Sequence, residues 1–79
     1  MTLTYDILIN FGESYISNYV NVELEVENMG ELDMYAHAEI CVQLLNKYCV
    51  IKQKQGRLVH FGCEGKDLTE EVKKIIIKH

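Results

Sequence analysis

Apolar residues fall at every second position from residue 3 to residue 11. Leu3, Tyr5, Ile7, Ile9 and Phe11 share one face, and Thr4, Asp6 and Asn10 share the other. A period of two predicts a half-buried strand. Gly12-Glu13-Ser14 then supplies a turn. The alternation resumes from about Ile16 to Glu27, with Val20, Val22, Leu24 and Val26 inward. Two such runs joined by a turn predict an antiparallel hairpin.

The period changes after residue 28. Met34, Ala38, Cys41, Leu45 and Tyr48 fall at helical spacing, widened by Tyr35, Val42 and Leu44. Asn28 stands three residues before Glu31, the spacing of a capping box. These signals predict a helix over residues 30–47. Its polar side is narrow, consisting of Asp33, Glu39, Gln43 and Asn46, so more than one side of it should be covered.

Residues 49–61 read as a second hairpin around Gln55-Gly56. A two-residue loop there would pair Lys54 with Arg57 and Lys52 with Val59 on one face, and Gln53 with Leu58 and Ile51 with His60 on the other. Neither face is purely apolar, and the buried one is not decided by the pattern. A second helix opens with Asp67-x-x-Glu70 and carries an apolar stripe of Leu68, Val72, Ile75 and Ile76, with Ile77 off the stripe. The expected fold is therefore α+β, in the order β-β-α-β-β-α. A four-stranded, largely antiparallel sheet would carry two helices on one face. A split of the sheet into two hairpins flanking the first helix is the alternative.

Seventy-nine residues make one domain, 1–79, and a chain this short buries only about 60% of its unfolded surface, so stability margins are thin. Three cysteines, an odd number, argue against a disulfide framework. The first ten residues lack the basic and long apolar regions of a signal peptide, and no apolar run approaches the ~20 residues of a membrane span. A reducing, cytoplasmic location and no membrane partner are expected. Abundant Ile, Lys, Asn and Tyr, without Pro or Trp, fit an AT-rich genome, and a phage or mobile-element origin fits with it.

Charge changes the picture most. Residues 1–46 hold eight acids and no Lys or Arg, whereas residues 47–79 hold eight bases and four acids. On the second strand Glu23, Glu25 and Glu27 all point outward, with Asp6 on the neighbouring strand and Glu13 in the turn. Like charges on adjacent strands repel by a few tenths of a kcal/mol to about 1 kcal/mol each. Three accounts offset that cost. Solvent and salt screen the charges over about 8–10 Å. Alternatively Lys52, Lys54 and Arg57 ladder against them, if the second hairpin buries Ile51 and Leu58. In the third account the face meets a basic surface on another protein, as carboxylates that stand in for phosphates do.

Other chemistry is thinner. His37 and Cys41 lie four apart on a helix, and His60 precedes Cys63 by three, which has the composition of a His2Cys2 zinc site. The spacing is loose, and core cysteines account for the residues better. "GCEGKD" is a turn and helix cap rather than a phosphate loop, because only two residues separate its glycines and Asp67 replaces the magnesium-holding hydroxyl. Cys63 and His60 lack an orienting third group for nucleophilic chemistry. No cofactor is implied.

The chain therefore reads as a non-enzymatic accessory or inhibitor protein that binds a basic partner through Glu23, Glu25, Glu27, Asp6 and Glu13. The runner-up is a nucleic-acid binder using Lys52, Lys54 and Arg57, with Tyr48 and Phe61 interleaved. The acidic first half and a pI near 5.2 weigh against it. A homodimer built on the flank of the first helix and Ile77 is the third reading.

Overall fold

The computed structural model describes residues 2–12, 17–26 and 33–77. Strand β1 (Thr2–Asn10) and strand β2 (Ser17–Glu25) pair antiparallel without a break in register, from Thr2 opposite Glu25 to Asn10 opposite Ser17. The alternation read from the sequence sets the faces. Tyr5, Ile7 and Ile9 are fully buried, with Leu3 and Phe11 nearly so, while Val20, Val22 and Leu24 of the edge strand are half-buried.

Helix α1 (Met34–Lys52) runs a turn and a half beyond the predicted end. Asp33 caps its start, its Oδ1 accepting the Ala36 N–H at 2.9 Å; the expected Asn28–Glu31 box lies outside the described residues. Its end is a Schellman motif. Gln53 adopts the left-handed conformation (φ 55°), its N–H donating to the Val50 carbonyl at 3.1 Å. The Lys54 N–H donates to the Cys49 carbonyl at 3.1 Å. The predicted hairpin over 49–61 is thus wrong in its first arm, because residues 49–52 complete the helix. Two β-branched residues, Val50 and Ile51, mimic a strand there, and a glutamine occupies the position where glycine usually announces a helix end. Gly56 serves packing instead of a turn. A Cβ on it would lie 2.7 Å from Ile9 Cγ2 and 2.9 Å from Phe11 Cε1.

Strand β3 (Arg57–Cys63) pairs antiparallel with β1, not with residues 49–54. A bulge at Val59 explains why neither face of this segment read as apolar. Leu58 lies opposite Ile9 and Phe61 opposite Ile7, so residues of opposite parity both face the core. Glu64 and Gly65, both at positive φ, turn the chain into strand β4 (Lys66–Asp67). The sequence presents this two-residue strand as part of a turn and cap. It does both jobs: the Asp67 carboxylate accepts from the N–H of Thr69, which opens helix α2 (Thr69–Ile77), at 3.0 Å.

The sheet order is β2-β1-β3-β4, one four-stranded antiparallel sheet in the expected element order. It is not split into separate hairpins. Ala38, Cys41 and Leu44 of α1, with Leu68 and Val72 at α2, close the core over Tyr5, Ile7, Ile9 and Phe61. Helix α1 lies against α2 as well as over the sheet core, so it is covered on two sides. Tyr35, Val50 and Ile51 are exposed.

Candidate functional site

The face of the sheet away from the helices carries Thr4, Asp6 and Leu8 of β1, and Asn21, Glu23 and Glu25 of β2 in register beside them. His60 lies opposite Leu8, and Gly62 opposite Asp6, on the other side of β1. Glu23 stands across from Thr4, and Glu25 across from Thr2, whose hydroxyl donates to it. That bond holds the Glu25 carboxyl below its ordinary range. Glu13 and Glu27 lie outside the described residues.

Asp6 anchors the middle of this face. Its Oδ2 accepts from His60 Nε2 at 2.7 Å and from the Tyr19 hydroxyl at 3.3 Å. The other carboxylate oxygen occupies the space a side chain on Gly62 would fill, only 2.6 Å from the position of such a Cβ. Glycine at 62 is therefore what lets an aspartate lie flat across β3. The second nitrogen of His60 faces Asp67 Oδ1 at 3.6 Å and the Thr69 hydroxyl at 3.4 Å. His60 thus bridges two carboxylates and ties β1 to the start of α2. Hydrogen bonds from the Thr69 hydroxyl and N–H lower the Asp67 carboxyl, with the nearby imidazole adding to them.

Threonine, histidine and aspartate in this order suggest a nucleophile relay, but the geometry assigns Thr69 to structure. Its hydroxyl donates to Asp67 at 2.6 Å, accepts the Phe61 N–H at 2.9 Å, and is buried. A buried hydroxyl held this way cannot meet a substrate.

The sequence matches no protein-family model and no curated protein, and the fold matches no solved structure. The reading of this face rests on its own geometry.

Lys52 and Lys54 do not share the sheet with the glutamates. Lys52 ends α1 and Lys54 follows it, while Arg57 pairs with Asn10 at the end of β1 away from Thr2 and Glu25. The ladder of bases against acids expected from the second hairpin therefore does not form. His60 forms ion pairs with Asp6 and Asp67. Glu64 is turned inward on the chain, accepting the Thr4 N–H at 2.6 Å while its own N–H donates to the Thr4 carbonyl. The nucleic-acid reading loses an aromatic as well: Phe61 is fully buried and cannot stack on a base. Lys47 sits 5.7 Å above the half-buried Tyr48 ring.

The four zinc candidates are divided by the sheet. His60 is on the open face, whereas Cys63 lies opposite the buried Tyr5, and Cys41 is buried in α1. Among the described residues no three potential ligands converge. On the helix side the Tyr5 hydroxyl and His37 Nδ1 share a 2.8 Å hydrogen bond. Burial pushes the Cys41 thiol up to about 12 and raises the Cys63 thiol, which leaves both as core residues. Burial also lowers His37, favouring a neutral ring beside the tyrosine.

Asp6 was legible from the sequence as an outward carboxylate; its partner His60 was not. The signal lay in the phase of β3, which the Val59 bulge hides. No described helix is long and apolar enough to cross a membrane.

Proposed function

We propose that this chain is a non-enzymatic, cytoplasmic accessory or inhibitor protein whose open sheet face docks on a basic surface of another protein. The observation that carries this reading is the alignment of carboxylates on the open sheet face, with Lys52 and Lys54 displaced from it. Asp6, Glu23 and Glu25 lie on one uncovered face, and Lys52 and Lys54, the bases expected to neutralise it, lie off the sheet. Carboxylates two residues apart on β2 repeat at about 6.6–6.8 Å, near the spacing of phosphates along a strand of nucleic acid. A Lys- or Arg-lined channel that receives phosphates would receive them too. Tyr19, 58% exposed beside Asp6, adds an aromatic anchor of the kind enriched at interface centres.

The test is charge reversal. Glu23→Lys with Glu25→Lys should abolish salt-sensitive capture of the partner from the protein's own cells, while the circular dichroism spectrum stays that of the wild type. Capture that survives reversal sinks the reading. Glu27→Lys adds the third member of the sequence pattern.

A further inference from the structure

The helix side of the molecule carries a second surface. Two open hollows adjoin there, separated by Ile76, which borders both. One, of about 390 Å³, is lined by Tyr35, Ala38, Val42 and Ile75, and its charged residue is Glu39. The other, of about 360 Å³, is lined by Leu45, Leu58 and Ile77, and its charged residues are Arg57 and Lys73. An apolar side chain stands out beside each: Tyr35 is 67% exposed at the first and Ile77 is 80% exposed at the second. Clustered apolar exposure of this kind marks an interaction surface.

We infer that a second copy of this chain covers this surface, related by a two-fold axis along the Ile76 ridge. Rotation about that line lays the hollow with Glu39 over the partner's hollow with Arg57 and Lys73, and the reverse contact forms by symmetry. Each acid then meets two bases. Tyr35 enters the basic hollow, where a ring beside a guanidinium gains a cation–π contact. Ile77 enters the acidic one. Both signs of charge and both knobs belong to one chain, so the surface is its own complement. A two-fold contact of this type also closes, leaving no sticky end for a filament. The net charge of −4 on each copy opposes approach, but salt screens that repulsion beyond about 8 Å. Both acidic sheet faces remain outward, so the dimer does not depend on the reading of the sheet face and would present that face twice.

Sedimentation velocity across a concentration series, about 5–500 μM, reads the mass directly; this range brackets micromolar dissociation constants. The wild type should shift to twice the chain mass of 9.2 kDa. Glu39→Lys puts like charges together and should weaken association about tenfold or more. Arg57→Glu with Lys73→Glu should do the same, and the triple variant combining them should dimerise again. Ile77→Asp should leave a monomer at every concentration, whereas Glu23→Lys on the sheet should leave the mass unchanged. All these positions are at least partly exposed, and thermal melts confirm that each variant folds. A monomeric wild type throughout the series overturns the proposal. So does a dimer indifferent to Glu39→Lys and Ile77→Asp, or a triple variant that stays monomeric. None of these results touches the acidic-face proposal, which is read by partner capture.

Discussion

Gly62→Ala reports on whether Asp6 is held where described. Gly62 has no positive φ, so alanine costs nothing in backbone conformation. The whole penalty is steric. The new methyl would sit 2.6 Å from Asp6 Oδ1, 3.2 Å from its Cγ, and 3.1 Å from the Lys66 carbonyl oxygen. The last contact is backbone and yields little, so the Asp6 carboxylate must move. Moving it breaks the 2.7 Å bond to His60. A hydrogen bond to a charged group contributes about 1.5–3 kcal/mol when buried. The side chains of His60 and Asp6 are 33% and 20% exposed, which trims that to about 1–2 kcal/mol after screening. For a domain of this size the melting temperature should fall by about 4–15 °C. Urea melts of a double-mutant cycle make the cause explicit. Asp6→Ala removes the nearest atom in the way, so adding Gly62→Ala to it should cost clearly less than in the wild type, with only the Lys66 carbonyl contact remaining. Additive losses would refute the contact, as would a Gly62→Ala variant as stable as the wild type.

Gln53→Gly should stabilise the protein by about 0.5–1 kcal/mol, since glycine adopts the left-handed helix end that glutamine occupies at a cost; chemical denaturation reads this. A hairpin through residue 53 would give the opposite sign. His37 is held below its ordinary range, chiefly by burial. The unfolded chain therefore takes up a proton first as pH falls below about 6.5. Stability that is full above that pH should drain away below it, and Tm followed from pH 7.5 to 5, compared with a His37→Gln variant, isolates the contribution.

The first half of the fold was open to reading because β1 and β2 keep strict period two and each buries one face. Helix α2 announced itself through Asp67 and the stripe from Leu68 to Ile76. Residues 49–63 resisted for two physical reasons. The end of α1 is built from β-branched residues and a left-handed glutamine, so local propensity argues against a helix end that the backbone bonds of Gln53 and Lys54 close. The bulge at Val59 then shifts the phase of β3, so that alternation, the basis for assigning faces, fails within the strand. The open-face cluster followed the same divide. Asp6 belongs to a regular strand and was visible, whereas the placement of His60 required the register of β3 against β1.

The first strand in the chain is the second in the sheet, and this order has a consequence for how the molecule is made. Strand β1 finds β2 within a few residues, but its other edge waits for β3, some fifty residues later, with Ile9 meeting Leu58 and Tyr5 meeting Cys63. On a ribosome adding about 5–20 residues per second, residues 47–63, through the end of β3, take about 1–3 s to appear. For that interval the hairpin shows Leu3, Tyr5, Ile7 and Ile9 to solvent with no β3 to finish the sheet. At the start of that interval the finished part, residues 1–46, carries eight acids and no Lys or Arg. Neighbouring nascent chains repel one another while their apolar faces are bare. The one-sided charge that suits a partner-binding surface in the mature protein also keeps its unfinished halves apart.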